Sequence, residues 1–364
     1  GGEDENTTEV TYTHKRQEAA GQWSGSSRRK STPIGQGLGE NIQQTSVGVP
    51  TSPIIDSTHQ NASNGSQGDT EYRQRPSFSH DSVDQCCSPT LSHFVERPLV
   101  VFKERWRDKE RRLRSKSGVG NLPGYRLLPV IVKTNDDLRQ EEIAAQLLFL
   151  MNQILIEGDV PCWLRPYGII AMSPDSGLIE AIPDTVSMDV LRRSVPNYTS
   201  LRAFFETFFG PDGSADFVKA RDNFVKSLAP YCIVCYLLNL KDRHNGNILL
   251  DRKGHVMHID FGFIFGISPG GNIGFESAPF KLTTEFVELM DGPHSPTFHR
   301  FRDICVKTFM ELRKHHYRIA LILEMISVGN EHLPCFAGDP GRIIDEMRKR
   351  FVPHIHDQAA TEHV

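Results

Sequence analysis

The 364-residue sequence contains no run of about 18 apolar residues, so we expect no helix that crosses a membrane. Its formal net charge of −4 is small for this length and does not indicate nucleic acid as a partner. The chain begins with Gly1 rather than Met, and no apolar leader core follows, so we expect a fragment or a processed product. The function must therefore be sought in local motifs rather than in composition.

Cysteine follows no disulfide pattern, because the seven cysteines are an odd number at scattered positions. Cys232 and Cys235 match C-x-x-C, but no second Cys or His pair lies at zinc-finger distance. Both lie in the apolar run 231–240 with helical spacing, so we interpret them as one buried helix face. Free thiols favour the cytoplasm as the location.

The most informative stretch is 239–262, in which two polar clusters bracket a hydrophobic hairpin. Asp242 precedes Asn247 by five residues, which is the offset between the base and the metal-binding Asn of a protein-kinase catalytic loop. The second cluster is Asp260-Phe-Gly, and Asp260 with Asn247 would supply the hard oxygen ligands that Mg²⁺ prefers. Turns alone explain a lone Asp-Phe-Gly, but not two clusters at this spacing. The pattern predicts phosphoryl transfer, with His244 as a candidate general base because its ordinary pKa suits neutral pH.

Elements typical of a small nucleotide-binding lobe precede this stretch. The small-residue loop Ser117-Gly-Val-Gly120 comes before a predicted strand, 125–133, and such a loop can lie over phosphates. The strand ends in Lys133, whose ammonium can pair with the phosphates. A predicted helix, 139–156, follows with one apolar stripe, and Glu141 in its first turn can pair with Lys133.

The domain organisation follows from composition. Residues 1–96 are polar with few large apolar residues, so we predict a disordered tail. We predict an α+β, two-lobed kinase-like fold over 97–353. Its small lobe, to about 182, is β-rich, and its large lobe, from about 183, is mainly helical. Residues 354–364 are predicted to be a polar tail. The other predicted elements are a surface helix or strand at 103–116, hairpin strands at 165–172 and 178–182, helices at 201–209, 216–240, 280–290, 297–328 and 342–351, and a mobile loop at 264–279. We expect Pro230 to kink the second of these helices.

The region from about Arg97 to Phe351 strongly resembles the catalytic domain of type III phosphatidylinositol 4-kinases, the beta class in particular. The shared strings are Val132-Lys133, Asp136-Asp-Leu-Arg-Gln140, Pro166-Tyr-Gly168, Asp242-Arg-His-Asn245, His258-Ile-Asp-Phe-Gly262, Phe280-Lys-Leu-Thr-Thr-Glu-Phe286 and Leu333-Pro-Cys-Phe336. Two departures stand out. The phosphate loop reads Ser-Gly-Val-Gly where the family has Ser-Pro-Tyr-Gly, and the family domain continues further beyond Phe336.

The resemblance implies a role for each site residue. For ATP, Ser117 and Lys133 would contact the phosphates, Glu141 would support Lys133, Tyr167 would line the nucleotide pocket, and the backbone of Glu180 and Ile182 would bind adenine. For the reaction, Asn247 and Asp260 would hold Mg²⁺ or Mn²⁺, and Asp242 and His244 would act at the substrate hydroxyl. At the membrane, Lys281 would attract the lipid headgroup beside Phe275. The implied substrate is phosphatidylinositol in membranes. The implied setting is a monomer peripherally attached to the Golgi, with small GTPases and adaptor proteins as partners.

Three functions are open at this point. The first is transfer of phosphate to the 4-hydroxyl of phosphatidylinositol. The second is a phosphoinositide 3-kinase or a related Ser/Thr protein kinase, and the third is a non-catalytic scaffold with a kinase fold. No Lys or Arg lies between Phe261 and Pro279, which favours a headgroup with little charge. Retention of Lys133, Asp242 and Asp260 argues against a scaffold.

Overall fold

A computed structural model describes residues 101–271, 276–336 and 338–364 of the chain. The predicted disordered tail, 1–96, lies outside the described residues, as does Phe275. In the described part, the helices are α1 Trp106–Lys116, α2 Arg139–Glu157, α3 Met188–Ser194, α4 Leu201–Phe209, α5 Ala215–Leu237, α6 Thr284–Leu289, α7 Pro296–Lys314, α8 His316–Ser327, α9 Pro340–Arg350 and α10 Asp357–His363. The strands are β1 Val130–Thr134, β2 Ile169–Ser173, β3 Ser176–Glu180, β4 Thr185–Ser187, β5 Ile248–Asp251 and β6 Val256–His258. This mixture of helices and small antiparallel sheets confirms the predicted α+β class.

The first sheet has the order β1-β3-β2, and we call it the Lys133 sheet because β1 carries that residue. Its strand β1 begins at Val130, whereas the sequence predicted a start at 125. Pro129 explains the later start, because it lacks the N–H that an extended ladder needs. The helix α2 packs behind the sheet, and its buried stripe of Ile143, Leu147 and Met151 forms the core there.

The second sheet has the order β4-β5-β6, and we call it the hairpin sheet because the predicted catalytic hairpin forms β5 and β6. Ile248 pairs with His258, so the two polar clusters of the motif leave the same end of the hairpin. The strand β4 was not predicted. It has three residues, and its partner β5 lies about sixty residues along the chain, so its own sequence carries no signal.

Several predicted helices need correction. The single helix predicted over 297–328 is two helices, α7 and α8, that meet at His315. The helix predicted from 280 begins at Thr284, because the Thr283 hydroxyl accepts the Phe286 N–H and caps the first turn. The predicted polar tail forms α10, whose Ala360 is fully buried.

The helix α5 runs through Pro230 as one continuous element, so the kink that we expected there stays a prediction. As expected, both Cys232 and Cys235 are buried in this helix. The basic stretch near the start of the described residues forms α1, which buries none of its side chains. Among the described helices, none combines the length and the apolarity that a bilayer crossing requires.

Candidate active site

The loop between α5 and β5 positions Asp242 and Asn247. The Asn247 side chain is 3% exposed, and its Nδ2 donates to the backbone oxygen of Asp242 at 2.9 Å. Because a carbonyl oxygen can only accept, the amide nitrogen must face it. This contact fixes the orientation of the amide and leaves Oδ1 available as a ligand for a cation.

Two aspartates of the site have backbones in the left-handed region. The φ angle is 62° at Asp242 and 60° at Asp260. Residues other than glycine adopt this region rarely, although Asp and Asn tolerate it better than most. Such conformations persist only where the surrounding structure holds them, and they cluster at functional sites.

The buried Arg243 joins the catalytic loop to the Asp260 turn. Its Nε donates to the Lys241 carbonyl at 2.9 Å, its Nη1 to the Ile259 carbonyl at 2.9 Å, and its Nη2 to the Asp260 carbonyl. The guanidinium also lies over the Phe261 ring, 5.8 Å from its centroid. We call this set of contacts the Arg243 clamp. Sequence reasoning missed it, and the only signal was the place of Arg243 inside the Asp-Arg-His-Asn string.

The loop that follows Asp260 is attached to the same clamp where it returns at Glu276. The Glu276 carboxylate accepts the backbone N–H of Arg243, with Oε1 at 3.0 Å. The Lys241 ammonium donates to the Glu276 carbonyl at 2.6 Å. The returning end of the loop is therefore held against the catalytic loop.

Tyr167 lies beneath the Asp260 turn. Its hydroxyl accepts the Asp260 N–H at 3.2 Å, and its ring stacks on Phe261 with centroids 5.8 Å apart. The side chain is 6% exposed. Tyr167 therefore supports the Asp260 turn, and its expected place in the wall of a nucleotide pocket stays a prediction.

The structure brings Glu141, Asp260 and Lys133 together. The pKa of Glu141 is raised to about 8, mainly by burial. The negative charge of Asp260 and a hydrogen bond between Glu141 and Asp260 raise this pKa further, whereas the positive charge of Lys133 lowers it. Lys133 Nζ lies 3.5 Å from Asp136 Oδ2. Lys133 thus pairs with Asp136, while the Glu141 carboxyl turns to Asp260, and the expected support of Lys133 by Glu141 stays a prediction.

The connection after β3 carries the expected adenine contacts. The Glu180 N–H donates to Gly168 O at 2.8 Å, and the Ala181 N–H donates to Pro129 O at 2.9 Å. Within the described residues, no acceptor faces the Ile182 N–H. The Ile182 N–H can therefore donate to a ligand, whereas the Glu180 N–H already donates to Gly168.

The His244 ring is oriented by its own loop. Its Nδ1 accepts the Gly246 N–H at 3.0 Å, so the neutral ring carries its proton on Nε2. Nε2 lies 3.9 Å from Asp242 Oδ2, and half of the His244 side chain is exposed. In this orientation Nε2 of a neutral His244 can donate a hydrogen bond, and the expected role of general base stays a prediction.

Ser117 and the loop after it fold back onto α1. Arg114 Nε donates to Gly120 O at 2.7 Å, and a Cβ on Gly120 would lie 2.1 Å from Arg114 O. Glycine is therefore required at position 120 by this close approach. Among the described residues, no hydrogen bond or ion pair joins Ser117 to Lys133, and the phosphate contacts predicted for both stay predictions.

Lys281 is half-buried rather than freely exposed. Burial lowers its pKa, and the Glu276 carboxylate opposes that shift. The charges of Arg192 and Arg243 also lower the pKa of Lys281. Lys281 follows Glu276 closely in the chain, and its contact with a lipid headgroup stays a prediction.

The oxygen donors of the site fit Mg²⁺ with bound nucleotide. In the described part of the chain, no three His, Cys, Asp or Glu side chains form a closed cage for a metal ion. Mg²⁺ does not need one, because proteins usually hold it by one or two side chains together with substrate phosphates and water. Asn247 Oδ1 and the Asp260 carboxylate match that pattern.

Comparison with known proteins identifies the family. Residues 127–337 match the family described as phosphatidylinositol 3- and 4-kinase. Phosphatidylinositol 4-kinase beta 2 of Arabidopsis thaliana is 48% identical over 252 residues, which are 68% of this chain and 22% of that protein. Phosphatidylinositol 4-kinase of Dictyostelium discoideum is 44% identical over a stretch that covers 71% of this chain and 22% of the length of that protein.

Phosphatidylinositol 4-kinase beta of Rattus norvegicus is 44% identical over 69% of this chain and 30% of its own length. The chain thus spans less than a third of the length of each of these three relatives. The chain belongs to the phosphatidylinositol 3- and 4-kinase family, and its catalytic region resembles that of the beta-class phosphatidylinositol 4-kinases.

Proposed function

We propose that the chain transfers the γ-phosphate of ATP to the 4-hydroxyl of phosphatidylinositol, which gives phosphatidylinositol 4-phosphate. The single observation that carries this proposal is the Arg243 clamp, which holds the Asp242 loop and the Asp260 turn in one rigid arrangement. Family membership and the names of the relatives support the choice of lipid and of hydroxyl.

Binding of ATP follows from groups on both sides of the site. Lys133 would pair with the phosphates, and Ser117 would contact them if its loop moved off α1. The Ile182 N–H would donate to adenine, whereas the Glu180 backbone would contribute its carbonyl. Mg²⁺, or Mn²⁺ in its place, supplies neutralisation of phosphate charge when bound, and Asn247 with Asp260 would hold it.

Transfer also requires an acceptor for the proton of the attacking hydroxyl. The Asp242 carboxylate can accept that proton, since His244 carries its own proton on Nε2 in the observed orientation. His244 would then donate a hydrogen bond to the transferring phosphate, where negative charge is stabilised. This division of roles refines the expectation that His244 is the base.

The choice of substrate is supported by the loop after Asp260. It has no Lys or Arg from Phe261 to Pro279, and a strongly phosphorylated headgroup would need such cations. Lys281 is the first cation beyond this stretch, and it would contact the single phosphate of phosphatidylinositol. We further propose a peripheral place on cytoplasmic membranes, the Golgi in particular, a monomeric state, and recruitment by small GTPases and adaptor proteins.

The product identifies the activity. Phosphatidylinositol vesicles are incubated with the chain, Mg²⁺ and labelled ATP, and the deacylated product is separated by chromatography that resolves the positional isomers. We expect the 4-phosphate, its loss in Asp260→Asn, and its retention in Asp303→Asn, a control that neutralises an exposed carboxylate on α7. Formation of only 3-phosphorylated lipid or of phosphoprotein would establish one of the alternatives, and no product at all would favour the scaffold.

A further inference from the structure

A cavity of about 460 Å³ lies at the C-terminal end of α5, where α9 and the end of α10 close it. None of the site residues described above lines it. Its walls are mainly apolar and include Leu237, Phe265, Ile343 and Met347. This volume falls within the range of small-molecule sites, which are mostly apolar with a few placed polar groups.

Arg350 is the polar group that distinguishes this cavity. Its Nη1 donates to the backbone oxygen of Tyr236 at 2.9 Å, and its guanidinium lies 5.5 Å from the centroid of the Tyr236 ring. Within the described residues, no carboxylate comes within ion-pair distance of Arg350, although α9 is rich in ion pairs. Burial lowers the pKa of Arg350, which is the expected effect of a desolvated cation that lacks a counterion.

The one carboxylate in the cavity wall offsets the charge of Arg350 only in part. The charge of Glu346 raises the pKa of Arg350 against the effect of burial, but Glu346 Oε1 is 2.7 Å from Arg342 Nη1 on the outer side of α9. Lys349 and His363 add two further cation-capable side chains, and His363 Nε2 lies 3.0 Å from the Tyr236 hydroxyl. Cation-capable groups therefore outnumber carboxylates around an apolar space.

We propose that this cavity binds a single-chain anionic amphiphile, such as a free fatty acid, with its carboxylate on Arg350 and its alkyl chain against Leu237, Phe265 and Met347. An anion would supply the counterion that Arg350 lacks, and charge-assisted hydrogen bonds to a guanidinium are strong. The alkyl chain would remove apolar wall from water. The site goes beyond the proposed function and does not rest on it.

The floor of the cavity connects it to the catalytic loop. The Phe265 N–H donates to Leu238 O at 2.8 Å, and the Gly266 N–H donates to Asn239 O at 3.1 Å. These two bonds join the loop that follows Asp260 to the segment that runs from α5 into the catalytic loop. A ligand against Phe265 would therefore lie directly on that junction.

Calorimetric titration of the full chain with dodecanoate, kept below the concentration at which it forms micelles, tests the proposal. We expect saturable binding that dodecanol, with the same alkyl chain and no charge, does not match. Arg350→Met keeps much of the apolar stem and should weaken dodecanoate binding by about 10- to 100-fold, since one hydrogen bond to a charged group has that value. Arg350→Lys should restore part of the affinity.

The matched control is Arg348→Met, which removes the same charge from the same helix. Arg348 pairs with Glu324 and Asp345, and none of these three residues lines the cavity. The control should leave dodecanoate binding unchanged. Absence of saturable binding, equal binding of dodecanol, or equal loss in Arg348→Met would each overturn the proposal.

A second measurement covers the case in which Arg350→Met does not fold. Wild-type chain is irradiated with a fatty acid that carries a photoreactive diazirine, and the labelled peptides are sequenced. Labels should fall on α9, on α10 or on residues 236–239 and 265, and excess dodecanoate should suppress them. Labels that fall elsewhere, or that dodecanoate does not suppress, would overturn the site.

Discussion

The two small sheets in the described part of the chain have the same number of strands but differ in how deeply they are buried. In the hairpin sheet, Val256, Met257 and His258 are all buried, and so are Ile248 and Leu250. In the Lys133 sheet, no residue of β1 is buried, and Val132 is 65% exposed. The buried sheet ends at the proposed metal ligands, whereas the exposed sheet carries the proposed phosphate contact.

The difference shows where the site demands precision. Ligands of Mg²⁺ must keep near-ideal octahedral positions. The hairpin sheet and the Arg243 clamp fix the backbone at both proposed ligands, of which Asn247 is buried and Asp260 is exposed. A lysine ammonium is a point charge on a flexible stem, so Lys133 can reach a phosphate from a less constrained strand. Four predictions test this contrast, in order of decreasing effect.

The largest effect is expected for Ile248→Ala at the start of β5, the central strand of the hairpin sheet. Ile248 is fully buried, and its truncation leaves a cavity that the packed neighbours cannot fill. We expect the free energy of unfolding to fall by about 2–5 kcal/mol in urea denaturation. A loss below about 1 kcal/mol would mean that the hairpin sheet is not the rigid partner in the comparison.

The next effect concerns catalysis. Asp260→Asn removes the charge that would hold Mg²⁺, and Lys133→Ala removes the phosphate contact, so each should lower kcat/KM by roughly 10²-fold or more. The melting temperature should change little in either variant, because neither substitution removes buried apolar surface. Near-normal turnover in Asp260→Asn would contradict the metal assignment, and Asp303→Asn serves as the control.

A smaller effect is expected at the membrane. Lys281→Ala should reduce turnover on anionic vesicles by about fivefold, since one cation near such a surface contributes about 1 kcal/mol. ATP hydrolysis without lipid should be affected less, and added salt should weaken vesicle binding. Lys307→Ala removes an exposed lysine from α7 as the matched control. Equal losses with and without lipid would assign Lys281 to the support of the site.

The smallest effect is expected for Ile170→Ala in the Lys133 sheet. This is the same substitution as at position 248, but Ile170 is 58% exposed on β2. We expect the free energy of unfolding to change by no more than about 0.5 kcal/mol. If the two Ile→Ala variants lose equal stability, the contrast between the sheets is not real.

Local patterns predicted much of the fold and part of the site. The stripe of α2 and the hairpin of β5 and β6 are visible in sequence because helix and strand periodicity repeat over short distances. The candidate active site was predicted from the spacing of Asp242, Asn247 and Asp260, which also lie within a short stretch of the chain.

What the sequence did not reveal depends on contacts between distant residues. The strand β4 exists only through its pairing with β5, and α10 docks on Tyr236 more than a hundred residues away. The Arg243 clamp likewise depends on the Ile259 and Asp260 carbonyl groups, which come close to Arg243 only because the β5–β6 hairpin folds back. The turn of Glu141 toward Asp260 required side-chain positions that spacing alone does not give.

The left-handed backbone at Asp260 has a consequence for which sequences the site can accept. The backbone there favours Gly, Asn and Asp, and the proposed ligand role requires a carboxylate. Asn satisfies the first requirement and fails the second, while Glu satisfies the second and is disfavoured by the first. Aspartate is the one residue that meets both requirements, so any substitution at position 260 should impair either the backbone conformation or the binding of the cation. Asp260→Asn keeps the backbone preference and removes only the charge.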